Sequence, residues 1–136
     1  MLLRRNGGNI MAVYKYDLDK LSDGGVMDAH AAVSLAYSYQ DYYDLLTEFL
    51  ADSPLFLCNY NPTVLVMDEN LRGSFLNDCR KARAMLAKLG LNQAMDEVNK
   101  LEDAAYHDDV KLLTDGLVTF RATINIASDL IKAARV

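Results

Sequence analysis

The stretch VKLLTDGLVTFRATINIASDLI, residues 110–131, decides the fold. Val110, Leu113, Leu117, Phe120, Ile124, Ala127 and Ile131 follow one another in alternating steps of three and four. A row of this kind winds slowly around a helix and predicts the buried seam of a long helix in a left-handed bundle. Upstream, the same periodicity recurs. Phe75, Cys79, Ala82, Leu86 and Leu89 form a second seam that stops at Gly90, and Leu91, Ala94, Met95, Val98, Leu101 and Ala105 form a third, ending near Tyr106-His107-Asp108. Gly90 is the residue expected where a helix closes in a left-handed conformation.

Further back, QDYYDLLTEFLADSP places Tyr42, Leu45, Leu46, Phe49 and Leu50 on one helical face, with Pro54 closing the segment. From Met27 a first helix of about ten residues is expected, with Asp28 as its N-cap and Ala32, Leu35 and Ala36 on its inner side. Between these elements, LFLCNYNPTVLVMDEN is broken by Asn59, Asn61 and Pro62 and predicts a kink or loop, then a short helical turn or strand-like piece through Met67. Residues 12–25 suggest a short helix before a turn at Gly24-Gly25. No alternating strand pattern competes, so the fold class expected is all-α, an antiparallel four-helix bundle over residues 26–136 preceded by a short N-terminal extension, residues 1–25.

Composition narrows the function. The 136 residues fit one domain able to bury a core without staples. Lys and Arg number 14 against 19 Asp and Glu, a net charge of −5 that argues against general binding to nucleic acid or anionic membrane. Cys58 and Cys79 have no metal-ligand spacing and read as reduced thiols. No apolar run reaches bilayer length and MLLRRNGGNI lacks the apolar block of a signal peptide, so a cytoplasmic location is expected. The tract NGGNIM, residues 6–11, can be encoded with a GGAGG ribosome-binding sequence just before the Met11 codon. Translation from Met11, with residues 1–10 as leader, therefore stands beside a translated N-terminal tail as an open alternative.

The segment RKARAMLAKLGLNQAMDEVNKLEDAAYHDD, residues 80–109, resembles the core of histidine phosphotransfer (HPt) domains, helical bundles that relay phosphoryl groups between sensor kinases and response-regulator receiver domains. Leu89-Gly90, Leu101-Glu102-Asp103-Ala104 and Asp108-Asp109 stand at the family's spacings, and Tyr43-Asp44-Leu45-Leu46, Phe49 and Phe120-Arg121 extend the likeness over most of residues 27–131. Two departures stand out. Pro62 falls where the family carries a continuous helix, and counting back from Leu89-Gly90 puts Arg80 at the phosphoacceptor position and Arg83 at the family's lysine position. Relay needs an imidazole nitrogen with a free lone pair. A guanidinium, protonated to above pH 12, offers none. His30 and His107 do not replace it, since neither has the motif around it.

What the resemblance implies is therefore a non-catalytic adaptor, not an enzyme and without metal or cofactor, that binds a receiver domain or a sensor kinase. The docking residues expected are Arg80, Arg83, Ala84, Ala87 and Lys88, with Arg80, Ala84, Ala87 and Leu91 along one stripe: alanines admit a close partner, and arginine can bond the carboxylates of a receiver site. The competing reading is that the two arginines are merely solvated cations, the bundle being an interaction or self-association module outside phosphorelay. A monomer or weak dimer is expected. Glu102, Asp103, His107, Asp108 and Asp109 have metal-ligating chemistry, but read better as a solvated helix end followed by an acidic first turn. Tyr37, Tyr39, Tyr42 and Tyr43 have acidic neighbours, which favours packing on the bundle over base stacking.

Overall fold

The computed structural model describes residues 3–6, 9–12 and 14–136, with side chains from Tyr14 onward. The side chains of residues 1–13, where the translation-start alternative falls, lie outside the described residues. The body is all-α. Its helices are α1 (Leu18–Ser22), α2 (Ala29–Ser34), α3 (Tyr39–Ala51), α4 (Pro62–Met67), α5 (Glu69–Leu89), α6 (Asn92–Tyr106) and α7 (Val110–Ala133), with a 3-10 helix at Pro54–Asn59. Before it, β1 (Leu3–Asn6) pairs antiparallel with β2 (Asn9–Ala12), Asn6 opposite Asn9. The hydrophobic periodicity of the later chain gave no sign of this hairpin.

Except for α6, whose N-cap is the apolar Leu91, each α-helix starts where a short polar side chain can take over orphan backbone donors. Asp17, Asp28, Ser38, Asn61, Asp68 and Asp109 all accept such N–H bonds at their helix starts. Pro62 sits in the first turn of α4, where its missing N–H is harmless, and so begins a helix rather than bending one. The segment from Pro54 is thus helical in two short pieces separated by Tyr60 and Asn61. α3 already ends at Ala51, and Pro54 opens the 3-10 helix that follows.

Most of the three seams read from the sequence is buried: Phe75, Cys79, Ala82, Leu86 and Leu89 on α5; Ala94, Val98, Leu101 and Ala105 on α6; and Leu113, Leu117, Phe120, Ile124, Ala127 and Ile131 on α7, whereas Met95 and Val110, expected in the same rows, are only partly buried. α6 lies between α5 and α7 in sequence and packs on both, while α3 packs on α5 and α7. At Gly116 an added Cβ would stand 2.8 Å from Leu101 Cδ2, so the missing side chain makes room for the α6 seam. Tyr16 and Leu21 are buried in the same core, and Asp17 N–H donates to the Ala134 carbonyl, which joins residues 14–25 to the packed body.

The first helix differs from expectation. α2 has six residues rather than about ten, because Leu35 caps it after Ser34. Leu35 consequently leaves the inner side and is 87% exposed. Tyr42 is fully buried, but Tyr37 and Tyr39, expected to pack on the bundle, lie on the surface: both fall outside the buried row of α3.

The end of α5 carries the tightest junction. Gly90 has φ +76 and closes α5 in the left-handed region, with the Leu91 N–H returning to the Leu86 carbonyl. Asp28 N–H donates to the Gly90 carbonyl at 2.8 Å, and the buried Tyr42 hydroxyl donates to the Leu89 carbonyl at 2.8 Å. A Cβ on Gly90 would lie 2.4 Å from the Asp28 carbonyl oxygen. Gly90→Ala therefore meets backbone as well as an unfavourable φ and should lose about 3 kcal/mol or more in urea unfolding. Gly24→Ala, at φ +95 with open space around it, should lose only about 1 kcal/mol.

Burial also sets the chemistry of Cys79. Its thiol is pushed up to about 12 by desolvation, against the opposing pull of the Arg83 charge. The Tyr60 phenol is likewise raised to about 12, by desolvation first and then by its 2.6 Å bond to Asp78. A raised acid pKa keeps the proton in the folded chain after the unfolded chain has released it. Stability should fall as pH rises from about 9 toward 12, and Cys79→Ala should flatten that fall in urea midpoints measured across this range.

Candidate functional site

α5 presents its seam inward and leaves an outward ridge formed by Arg80, Ala84, Ala87 and Lys88, all exposed. The 3.6-residue period that buries Cys79, Ala82 and Leu86 necessarily turns these four away from the core. Arg80 pairs with no carboxylate among the described residues. Its neighbour Lys81 approaches Asp78 at 4.0 Å.

Arg83 behaves differently. About 60° around the helix from Arg80, between the ridge and the buried seam, it is only partly exposed, forms an ion pair with Glu102 and donates to Asn99 Oδ1 at 3.1 Å. The guanidinium ties α5 to α6. Leu91 also leaves the expected stripe. The helix stops at Leu89, the chain turns at Gly90, and Leu91 becomes the fully buried N-cap residue of α6. The structure thus places Arg80, Ala84, Ala87 and Lys88 of the predicted set on the exposed ridge, with Arg83 beside it engaged within the chain.

Beside the ridge, the edge shared by α2, α3 and α5 is concave. One trough of about 420 Å³ is lined by Leu45, Glu48, Asp52, Lys81, Ala84 and Met85 among others. It meets a second of about 600 Å³ lined by Ala32, Leu35, Tyr37, Asp41, Asp44 and Ala87 among others, and Leu45, Glu48 and Lys88 belong to both. This concavity was missed in the sequence, although one signal was there: Asp41, Asp44 and Glu48 recur at three and four residue steps along α3.

The acidic end of α6 has structural duties. Glu102 holds Arg83, Asp108 accepts from Arg72 at 2.6 Å, Asp109 caps α7 by accepting from Leu112 N–H, and His107 Nδ1 lies 2.8 Å from the Asp103 carbonyl. Asp108 adopts φ +53 in the turn, a conformation that aspartate tolerates better than most residues. Among the described residues no group of three or more His, Cys, Asp or Glu is placed to hold a metal ion. His30 bonds Asp19 at 2.7 Å on the surface. A polar cluster that the sequence did not announce lies between α6 and α7, where the buried Thr123 hydroxyl bonds Glu97 at 2.8 Å with Gln93 beside them.

The two thiols differ in setting. Cys79 is buried in the α5 seam, while Cys58 is half-buried, its thiol raised by desolvation against the lowering pull of Arg121. No helix among the described residues is long and apolar enough to cross a membrane.

No protein-family model, curated protein or solved structure matches this chain.

The Glu102 carboxylate is only 15% exposed, so removing its cation leaves a mostly buried charge unpaired. Arg83→Ala should lose about 1–2 kcal/mol in urea unfolding, more than an exposed pair would.

Proposed function

We propose that this chain is a docking adaptor of the HPt type, in which α3, α5, α6 and α7 act as an antiparallel four-helix bundle and the α5 ridge binds a receiver domain or a sensor kinase in the cytoplasm without carrying phosphate. The observation that supports it is Arg80. It stands exposed on the outward ridge, at the position the resemblance gives to the phosphoacceptor, with small residues at Ala84 and Ala87 and no carboxylate among the described residues paired with it. A fixed cation flanked by alanines lets a partner surface approach closely and directs charge-assisted bonds to carboxylates there. Arginine supplies no nucleophilic lone pair, so binding and labelling are separable.

A second reading, a helical interaction module outside phosphorelay, is favoured by Arg83. The residue at the family's lysine position is engaged by Glu102 and Asn99 within the chain.

The two readings diverge in one experiment. Purified receiver domains, some phosphorylated, are offered to the wild-type chain and to Arg80→Glu and Ala84→Arg. An adaptor retains a receiver without gaining label, and each substitution weakens retention about tenfold, the loss expected when one charge-assisted contact is removed or an approach blocked. Retention that survives both substitutions, or stable phosphorylation of the chain, overturns the proposal.

A further inference from the structure

The joined trough beside the ridge has an apolar floor and one charged wall. Leu45, Ala84, Met85 and Ala87 line the floor, and Leu35 and Tyr37 stand exposed at its rim. The wall is α3 with its C-cap: Asp41, Asp44 and Glu48 on the helix and Asp52 just after it. Asp41, Glu48 and Asp52 form no ion pair with a cation among the described residues. The opposite side offers only Lys81, already near Asp78, and Lys88. From Asp41 to Asp52 the wall runs about 16 Å, at 1.5 Å per residue, or about three helical turns.

We infer that this trough seats an amphipathic helix of a partner protein with Lys or Arg along one edge. The inference rests on the docking reading of Ala84, Ala87 and Lys88 given above and adds the chemistry of the partner. Its apolar face lies on Leu45, Ala87 and the exposed Leu35, and its cations reach Glu48, Asp52 and Asp41. Such a match combines burial of apolar area with charge complementarity, which sets both orientation and partner choice. A second copy of this chain fits poorly. The exposed apolar row of α7, Val118, Ala122 and Ile126, is flanked by Asp115 and Asp129, which would face the acidic wall. An anionic lipid surface meets the same repulsion.

The test uses the full chain and a fluorescein-labelled leucine–lysine peptide of about 14 residues, patterned as an amphipathic helix, with a leucine–glutamate peptide of the same pattern as control. Anisotropy titration should give binding of the lysine peptide at least about tenfold tighter than of the glutamate peptide, weakening as salt screens the charges. Glu48→Lys with Asp52→Lys, both near the C-terminal end of α3 where added cations suit the helix dipole, should weaken binding about tenfold or more. Leu35→Ser, at a surface position, should weaken it severalfold with an unchanged melting curve. Asp115→Lys with Asp129→Lys on α7 should change nothing.

Equal binding of the two peptides, no binding of the lysine peptide, or a loss at α7 equal to that at α3 overturns the inference. Sedimentation of the chain alone as a dimer that Leu35→Ser dissolves overturns it as well, by giving the trough to a second copy. The two proposals fail separately: a receiver retained through Arg80 while the lysine peptide is not bound removes the trough and keeps the adaptor, and the converse removes the adaptor and keeps the trough.

Discussion

The absence of one Cβ, at Gly90, is the constraint on which the arrangement depends. The start of α2 approaches the end of α5 so closely that Asp28 bonds Gly90 backbone to backbone, and a side chain there would overlap the Asp28 carbonyl. One residue earlier, the Leu89 carbonyl is claimed by the Tyr42 hydroxyl from α3. Burial and the nearby Asp28 charge both hold that phenol in its neutral form well beyond its ordinary range, so it remains a donor. Three helices are fastened at a single helix terminus, where the Tyr42 hydroxyl supplies a partner for the Leu89 carbonyl and Asp28 adds a second donor to the Gly90 carbonyl beside the Asn92 N–H. The α2–α3–α5 edge, and hence the trough beside Lys88, takes its shape from this junction.

The ridge and the trough are two consequences of the same packing. A helix whose seam is as regular as that of α5 must turn the intervening residues outward, and alanine at two of them keeps the ridge low. α3 has a narrower buried row, Tyr42, Leu46 and Phe49, so Leu45 is left half-covered at the base of the groove. The exposed Leu35 and Tyr37 follow from the early end of α2. Its short length places the α2–α3 connection over solvent rather than over the core. Apolar side chains in that position add hydrophobic surface to a concavity whose wall is already charged.

Legibility in the sequence tracked period and length. The seams of α5, α6 and α7 could be read residue by residue because each repeats over several turns, and Gly90 and Asp28 were readable because left-handed closure and N-capping demand particular chemistry. α2 is too short for periodicity to fix its end, so Leu35 was assigned to the wrong side. Arg83 looked equivalent to Arg80 because three residues of spacing keep both on the outer half of a helix. The ion pair with Glu102 separates them, and it depends on where α6 comes to lie, which the local pattern of α5 does not contain. The trough was hidden for the same reason: its lining comes from residues 32 to 89, and only folding sets them side by side.

The beginning and end of the body meet. Tyr16 bridges Arg135 in antiparallel fashion, Val136 N–H returns to the Lys15 carbonyl, and the Arg135 guanidinium lies 3.9 Å from the centre of the Tyr14 ring. This clasp spans 119 residues between Tyr16 and Arg135, whereas most of the packing joins helices that are neighbours in the chain. Closing so long a loop carries the largest chain-entropy cost, repaid only once both flanks are already in place. The clasp therefore repays its closure only when the helices between are packed, and tension drawn through the two ends of the body bears on it directly.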